Sequence, residues 1–288
     1  MRRGANARAK KESRVGAALR AAGPVVVLRE EHLMPGARIK AAPAPDGVRF
    51  EVPVAPGVTL RGVTVRRPEA RLAVLYFGGN GEIIGPDAGI AWLAGTHAFD
   101  LYAVNYRGFG PSDGAASLDA VVGDGAAVFD VVAARPEVAG KPIVVYGFSL
   151  GSWPALAVAG AREVAGIVLQ SPPNAAAEVV PHLTSLLPWY LRPFARIALA
   201  PEVAARDDQP VHLAPRVRAP LLVLHGDVDL SVPIACGREV FEEAGSEDKE
   251  FVTVPGGGHI DLWDVGGEAL HARLAGFLEK VTRRGTAC

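Results

Sequence analysis

The stretch "PIVVYGFSLGSWPALAVAG" (residues 142–160) passes from an apolar, β-branched run, through one serine set between two glycines, into an alanine-rich segment that reads as a helix. Strand, sharp turn and helix therefore come in that order. At such a turn the serine takes strained backbone angles, and side chains at its near neighbours would collide with the strand and the helix. Glycine removes those side chains, so Gly147 and Gly151 read as clearance for an exposed Ser149. The pentapeptide alone is weak evidence. With 33 glycines and nine serines in 288 residues, chance supplies one with a probability of roughly one in ten. A serine flanked by glycines can also simply cap a helix. What Ser149 means depends on what the rest of the chain supplies.

The same kind of strand recurs outward from this point. "LAVLYF" (72–77), "LYAVN" (101–105), "GIVLQ" (166–170), "PLLVLHG" (220–226) and "EFVTVPG" (250–256) are short apolar runs bounded by Gly, Pro or polar residues. Buried parallel strands have that look. "VRFEVPV" and "VTLRGVTVRR", by contrast, alternate, as an antiparallel pair does. Helical patterns lie between the strands. Residues 117–135 open on a capping serine, Ser117, and residues 267–284 carry basic residues in their last turn. Strand alternating with helix predicts a doubly wound, mostly parallel α/β sheet, in which ligands gather at the carboxyl ends of the strands. Between Ser171 and Ala219 the chain runs nearly fifty residues with helical fragments, too long for a bare loop. Its Leu183, Leu186, Leu187, Trp189, Tyr190, Leu191, Phe194 and Ile197 point to helices laid over the catalytic end of the sheet, with an ordinary two-helix crossover as the alternative.

The bulk composition, 49% hydrophobic and 21% charged, is that of a globular chain, and a net charge of −1 offers no overall field to attract nucleic acid. The first twenty residues differ. Seven basic residues (Arg2, Arg3, Arg8, Lys10, Lys11, Arg14, Arg20) against Glu12 leave a local charge of 7 − 1 = +6, the mark of a solvated arm. Residues 1–47 thus read as a flexible arm and proline-rich lead-in, and 48–288 as the folded domain, with 171–219 inserted in it. Only Val25 to Leu28 form an apolar run near the arm, broken off from the charges by Gly23 and Pro24, so neither a secretory signal nor a membrane span is expected. The default location is cytoplasmic, with secretion or membrane-surface association through the arm left open. Cys236 and Cys288 have neither disulfide nor metal-ligand spacing.

A serine hydroxyl needs a base within hydrogen-bond reach and a group that orients the base. Of histidines 32, 97, 182, 212, 225, 259 and 271, only His259 sits in a glycine-rich loop ("VPGGGHIDLWD") after the last strand, where its ring can lean across the strand ends toward Ser149. His225 ends a strand in "HGD" and serves the turn. The orienting carboxylate should follow the penultimate strand, where "LLVLHGDVDLSVP" offers Asp227 and Asp229. Pro233 opens a helix, which leaves Asp229 in the exposed turn. Asp229 is therefore the expected partner of His259, a plain Asx-turn role being the alternative. A developing oxyanion needs backbone N–H groups aimed at it. Leu150 supplies one as the residue after the nucleophile. Asn80, in the glycine-rich "GGNGE" (78–82) after the strand "LAVLYF", supplies the other. That loop lacks the lysine and spacing of a phosphate loop.

Taken together these motifs resemble the α/β-hydrolase superfamily, its acyl-hydrolase and serine-aminopeptidase-like branch in particular, over roughly Val48 to Lys280. The likeness rests on "GFSLG", "HGDVDLSVP", "GGGHIDL" and the strand-to-loop stretch "NYRGFGPSDG" (105–114). It implies an eight-stranded sheet, a Ser149–Asp229–His259 triad, no metal or organic cofactor, and a variable helical cap at about 171–219. One departure is that relatives often carry His-Gly-Asn where this chain has Gly78-Gly79-Asn80. Arg107 and Asp113 are expected to fix their loop by hydrogen bonds, not to touch substrate.

The resulting expectation is a serine hydrolase that cleaves a carboxylic ester, or a thioester, of a small-molecule acyl substrate through an acyl-enzyme intermediate. Trp189 and Tyr190 of the cap are expected to line the acyl site. An amidase or peptidase working with the same triad is a second reading, and a non-catalytic hydrolase-like binding protein is a third.

Overall fold

The computed structural model describes residues 26–28, 49–174, 180, 184, 187–194 and 197–285. Its strands are β1 (Val26–Leu28), β2 (Arg49–Ala55), β3 (Val58–Val65), β4 (Ala73–Phe77), β5 (Asp100–Val104), β6 (Ile143–Phe148), β7 (Gly166–Gln170), β8 (Ile197–Leu199), β9 (Leu221–Gly226) and β10 (Lys249–Val254). Eight of them form one sheet in the order β10-β9-β7-β6-β4-β5-β3-β2. The pairs β2–β3 and β3–β5 are antiparallel and all the others parallel. This is the α/β-hydrolase arrangement expected from the motifs.

The apolar runs are continuous because both faces of the sheet are covered. Along β6, Ile143 and Val145 enter one core layer while Val144 and Tyr146 enter the other, following the two-residue period of a strand. The first layer packs against α2 (Leu118–Ala133), α3 (Ser152–Ala161) and α4 (Ile234–Glu243) through Val128, Leu156 and Val240. The second packs against α1 (Gly89–His97) and α5 (Leu262–Gly285) through Leu93, Leu274 and Phe277. Truncating one fully buried aliphatic such as Ile167 costs on the order of 2–5 kcal/mol. At the far edge from the site, buried Asp100 accepts from Lys141 Nζ at 2.6 Å and from the Arg67 N–H at 2.8 Å, tying β5 to the chain entering β6 and leaving β3.

Some elements depart from the pattern expected of the sequence. α5 starts at Leu262, ahead of residue 267, and is broken at Gly267, whose φ of 49° lies outside the helical region. Helical fragments were expected through residue 199, but Ile197–Leu199 is a strand. It pairs in parallel with Val26–Leu28, so structure also begins before Val48. Both segments are short and β-branched or leucine-rich, and each satisfies the other's backbone. The rest of the proposed arm (1–25, 29–47) and residues 175–179, 181–183, 185–186 and 195–196 of the insertion lie outside the described residues, Leu183 and Leu186 with them. Among the described residues no helix is long and apolar enough to cross a membrane.

α1 and α5 meet through histidines. His97 Nε2 and His271 Nδ1 are 2.9 Å apart, and Trp92 and Trp263 both lie against the His271 ring. Burial, reinforced by the neighbouring His271, lowers His97 from the ordinary 6.5 to about 4. In the unfolded chain the ring takes its proton near 6.5; in the fold it stays neutral until about pH 4. The unfolded state therefore binds more protons in that window, and stability present above pH 6.5 is lost as pH falls toward 4. The denaturant midpoint should accordingly fall more steeply between pH 7 and 5 in the parent than in His97→Gln. Parallel acid dependence in the two proteins would remove His97 from this account.

Candidate active site

Ser149 follows β6 immediately, and its φ of 49° places a non-glycine residue in the left-handed region, a conformation that costs about 1–3 kcal/mol and persists only where its surroundings impose it. The surroundings do so by close approach. A Cβ on Gly147 would stand 2.5 Å from the Gly151 carbonyl oxygen and 2.8 Å from Ala155 Cβ. A Cβ on Gly151 would stand 1.9 Å from the Phe77 carbonyl oxygen at the end of β4. The first glycine thus gives room to the helix and the second to the neighbouring strand. Between them the backbone turns from β6 through a 3-10 turn (Ser149–Gly151) into α3, leaving Ser149 partly exposed on the outside of the bend.

Strand order brings the other two side chains to the same rim. Phe148 pairs with Gln170 of β7, Gln170 with Leu224 of β9, and Gly226 with Val254 of β10, so the loops leaving β6, β9 and β10 start at one level. His259, in the loop after β10, sets its Nε2 3.0 Å from Ser149 Oγ. Its Nδ1 lies 2.7 Å from Asp229 Oδ2, in the loop after β9. The ring rests against Phe148 at 5.1 Å between centroids. The structure thus joins Ser149, His259 and Asp229 in one hydrogen-bonded chain.

Asp229 carries a second duty. Its Oδ1 accepts the N–H groups of Ser231 and Val232, both at 2.8 Å, closing an Asx turn. One oxygen thus faces the imidazole while the other shapes the turn. Its side chain is wholly buried. Burial alone would raise the carboxyl, but the His259 hydrogen bond and charge, the Val232 N–H and His225 outweigh it and hold the group below the ordinary carboxylate range. Buried His225 donates from Nε2 to the Val232 carbonyl oxygen at 2.9 Å, which makes Nε2 the protonated nitrogen, and that nitrogen lies 3.6 Å from Asp229 Oδ2. Asp227, the other carboxylate of that stretch, accepts the Gly256 N–H at 2.7 Å and ties the β9 loop to the histidine loop.

The Gly78–Asn80 loop abuts the elbow: a Cβ on Gly79 would stand 2.8 Å from the Phe148 ring, and one on Gly151 would stand 2.9 Å from the Gly78 carbonyl oxygen. Residues in "NYRGFGPSDG" hold this loop, a role the sequence reading did not assign. Tyr106 Oη donates to the Gly78 carbonyl at 2.7 Å, and Asn105 bonds the N–H and carbonyl of Ile84 at 2.7 and 3.0 Å. Their polar side chains just past a buried strand were the available signal. Arg107 makes a two-pronged pair with Asp124 of α2, and Asp113 accepts from Arg61 and from the Thr59 N–H, as expected of loop-fixing residues. Trp189 and Tyr190 are exposed, and their ring contact is with each other. Among the described residues no group of three or more His, Cys, Asp or Glu side chains is arranged to hold a metal ion. Cys236 is buried in α4.

Residues 68–212, just over half of the chain, match the family described as serine aminopeptidase, S33; the match ends before Asp229 and His259. The chain is 27% identical over 218 residues to the alpha/beta hydrolase domain-containing protein aho-3 of Caenorhabditis elegans, covering 74% of this chain and 59% of that protein. It is 26% identical over 187 residues to the alpha/beta hydrolase domain-containing protein WAV2 of Arabidopsis thaliana, covering 63% of this chain and 61% of that protein. It therefore spans about three fifths of the length of these two relatives. Among solved structures, an esterase of Pyrococcus furiosus superposes with a TM-score of 0.64 at 18% identity, over 90% of this chain and 96% of that one. By its matched family and its sheet, the chain belongs to the serine aminopeptidase S33 family of the α/β-hydrolase superfamily.

Proposed function

We propose that the chain is a serine hydrolase that cleaves carboxylic esters of small acyl compounds through an acyl-enzyme on Ser149. The observation that carries this reading is the unbroken hydrogen-bonded path from Ser149 Oγ through both ring nitrogens of His259 to Asp229 Oδ2. Membership of a hydrolase family supports it.

In the proposed reaction Ser149 Oγ attacks the ester carbonyl as His259 Nε2 takes its proton. Asp229 Oδ2 accepts from the protonated Nδ1, fixing the tautomer and stabilising the imidazolium that forms. The oxyanion is bound by the backbone N–H groups of Asn80 and Leu150, and His259 returns its proton to the leaving alcohol. Water, deprotonated by the same ring, then attacks the acyl group and releases the acid from Ser149. The eight-stranded sheet with its helices serves as the hydrolase unit and 171–219 as its cap, with Trp189 and Tyr190 offered to the acyl group. No cofactor enters this scheme.

The family's description favours an amide or peptide as the second reading; a thioester is open to the same groups. Relative rates on matched ester, thioester and amide substrates distinguish the three. Ser149→Ala should abolish both hydrolysis of short p-nitrophenyl esters and labelling by a fluorophosphonate, and full labelling of that variant would refute the assignment of the nucleophile. Asp229→Asn keeps the acceptor oxygen but allows the wrong tautomer, so kcat should drop by roughly 10³–10⁴-fold. A loss smaller than about tenfold would show that His259 works without it.

A further inference from the structure

The turn that carries Asn80 is closed by the side chain of Glu82. The Glu82 N–H donates to the Gly79 carbonyl at 3.2 Å, and the Gly79 N–H donates back to Glu82 Oε2 at 2.9 Å. Two bonds running in opposite directions thus fasten the two ends of a four-residue turn, as in a capping box. Gly81, with a φ of 89°, occupies the turn's third position, where a type II turn requires a positive φ. A third bond ties the turn to the sheet. Tyr76, in β4, donates its hydroxyl to the same Oε2 at 2.8 Å. Glu82 also fills the space beside Gly78: a Cβ there would stand 2.9 Å from Oε2. The carboxyl and a side chain at position 78 therefore compete for one volume.

We propose that Glu82 is a positioning residue for the oxyanion loop, holding the Gly78–Asn80 backbone against the nucleophile elbow. The assignment rests on the hydrolase reading above. Because the Gly79 N–H is bound to Glu82, that amide is not offered to an oxyanion. Burial raises the Glu82 carboxyl, against the pull of the Gly79 and Tyr76 hydrogen bonds.

The test is a double-mutant cycle on Gly78→Ala and Glu82→Ala, with Glu82→Gln and Tyr76→Phe alongside. It reads kcat and KM on a p-nitrophenyl ester, affinity for a boronic acid that forms a tetrahedral adduct on Ser149, and thermal midpoint. Glu82→Ala should lower kcat about 10- to 100-fold with KM within about threefold, and weaken adduct formation by a similar factor. Glu82→Gln, whose single carbonyl oxygen can accept both donors, should stay within about fivefold of the parent. Gly78→Ala should displace the carboxyl and lower kcat alone, yet add nothing in the Glu82→Ala background. Additive losses, or a folded Glu82→Ala protein with kcat within about twofold of the parent, would overturn the assignment. Should Glu82→Ala fail to fold, Tyr76→Phe decides: a kcat lowered by roughly threefold or more supports it and an unchanged kcat overturns it. A parent protein that neither turns over ester nor reacts with fluorophosphonate removes the hydrolase reading and this one together; an active parent with an indifferent Glu82→Ala removes only this one.

Discussion

Between the Phe77 carbonyl at the end of β4 and the backbone of Gly151 there is no room for even a methyl group, and the geometry of the candidate site follows from that contact. It draws the start of α3 under the neighbouring strand, so the chain leaving β6 must reverse within three residues. The reversal forces Ser149 to positive φ and lifts its hydroxyl out of the sheet's rim. The cost of that backbone angle is offset by the packing of α3 on β6 and α2, where Leu156 and Val158 are buried with Val128. Stability and reactivity are thus coupled here through main-chain distances more than through side-chain chemistry.

The other two members of the hydrogen-bonded chain depend on register. The adjacent parallel strands β6, β7, β9 and β10 end at one level, so the loops after β9 and β10 need to travel only a short distance to reach the serine. The loops are then braced on each other. Gly226 packs against the Gly257 carbonyl, the Val228 N–H donates to that carbonyl, and Asp227 takes the Gly256 N–H. Asp229 joins this bracing, since one oxygen shapes its own turn while the other faces the imidazole. A wholly buried carboxylate with both oxygens engaged is held in one orientation, as pre-organised electrostatics requires.

Much of this could be read before any coordinates. β4, β5, β6, β7 and β9 were legible because strands covered on both faces must be apolar throughout, and the pair β2–β3 because its residues alternate. Ser149, Asp229 and His259 were legible because each follows such a strand in an ordered series. α1 was not. "GIAWLAGTH" has little polar contrast between its faces, and its cap residue, Ala88, makes no capping bond. β8 was hidden because three residues of strand are shorter than any period that sequence alone can display, and its partner lies about 170 positions earlier. The pairings of Asn105 and Tyr106 were hidden for a different reason: polar side chains just past a buried strand mark them, but they bond to the backbone of another segment, and a sequence records no such partner. The Tyr76–Glu82 bond joins two side chains six positions apart across a turn, a pairing no periodicity displays.

The parallel pairing of Val26–Leu28 with Ile197–Leu199 bears on where the folding unit can be cut. Composition places its start near Val48, and a chain shortened to begin there would retain all eight strands of the main sheet. It would also strip the neighbour from Ile197–Leu199 and leave a bare strand edge, the kind of surface through which proteins pair with one another. Trimming the charged leader therefore has a natural stopping point before Val26, more than twenty residues earlier than the change in composition suggests.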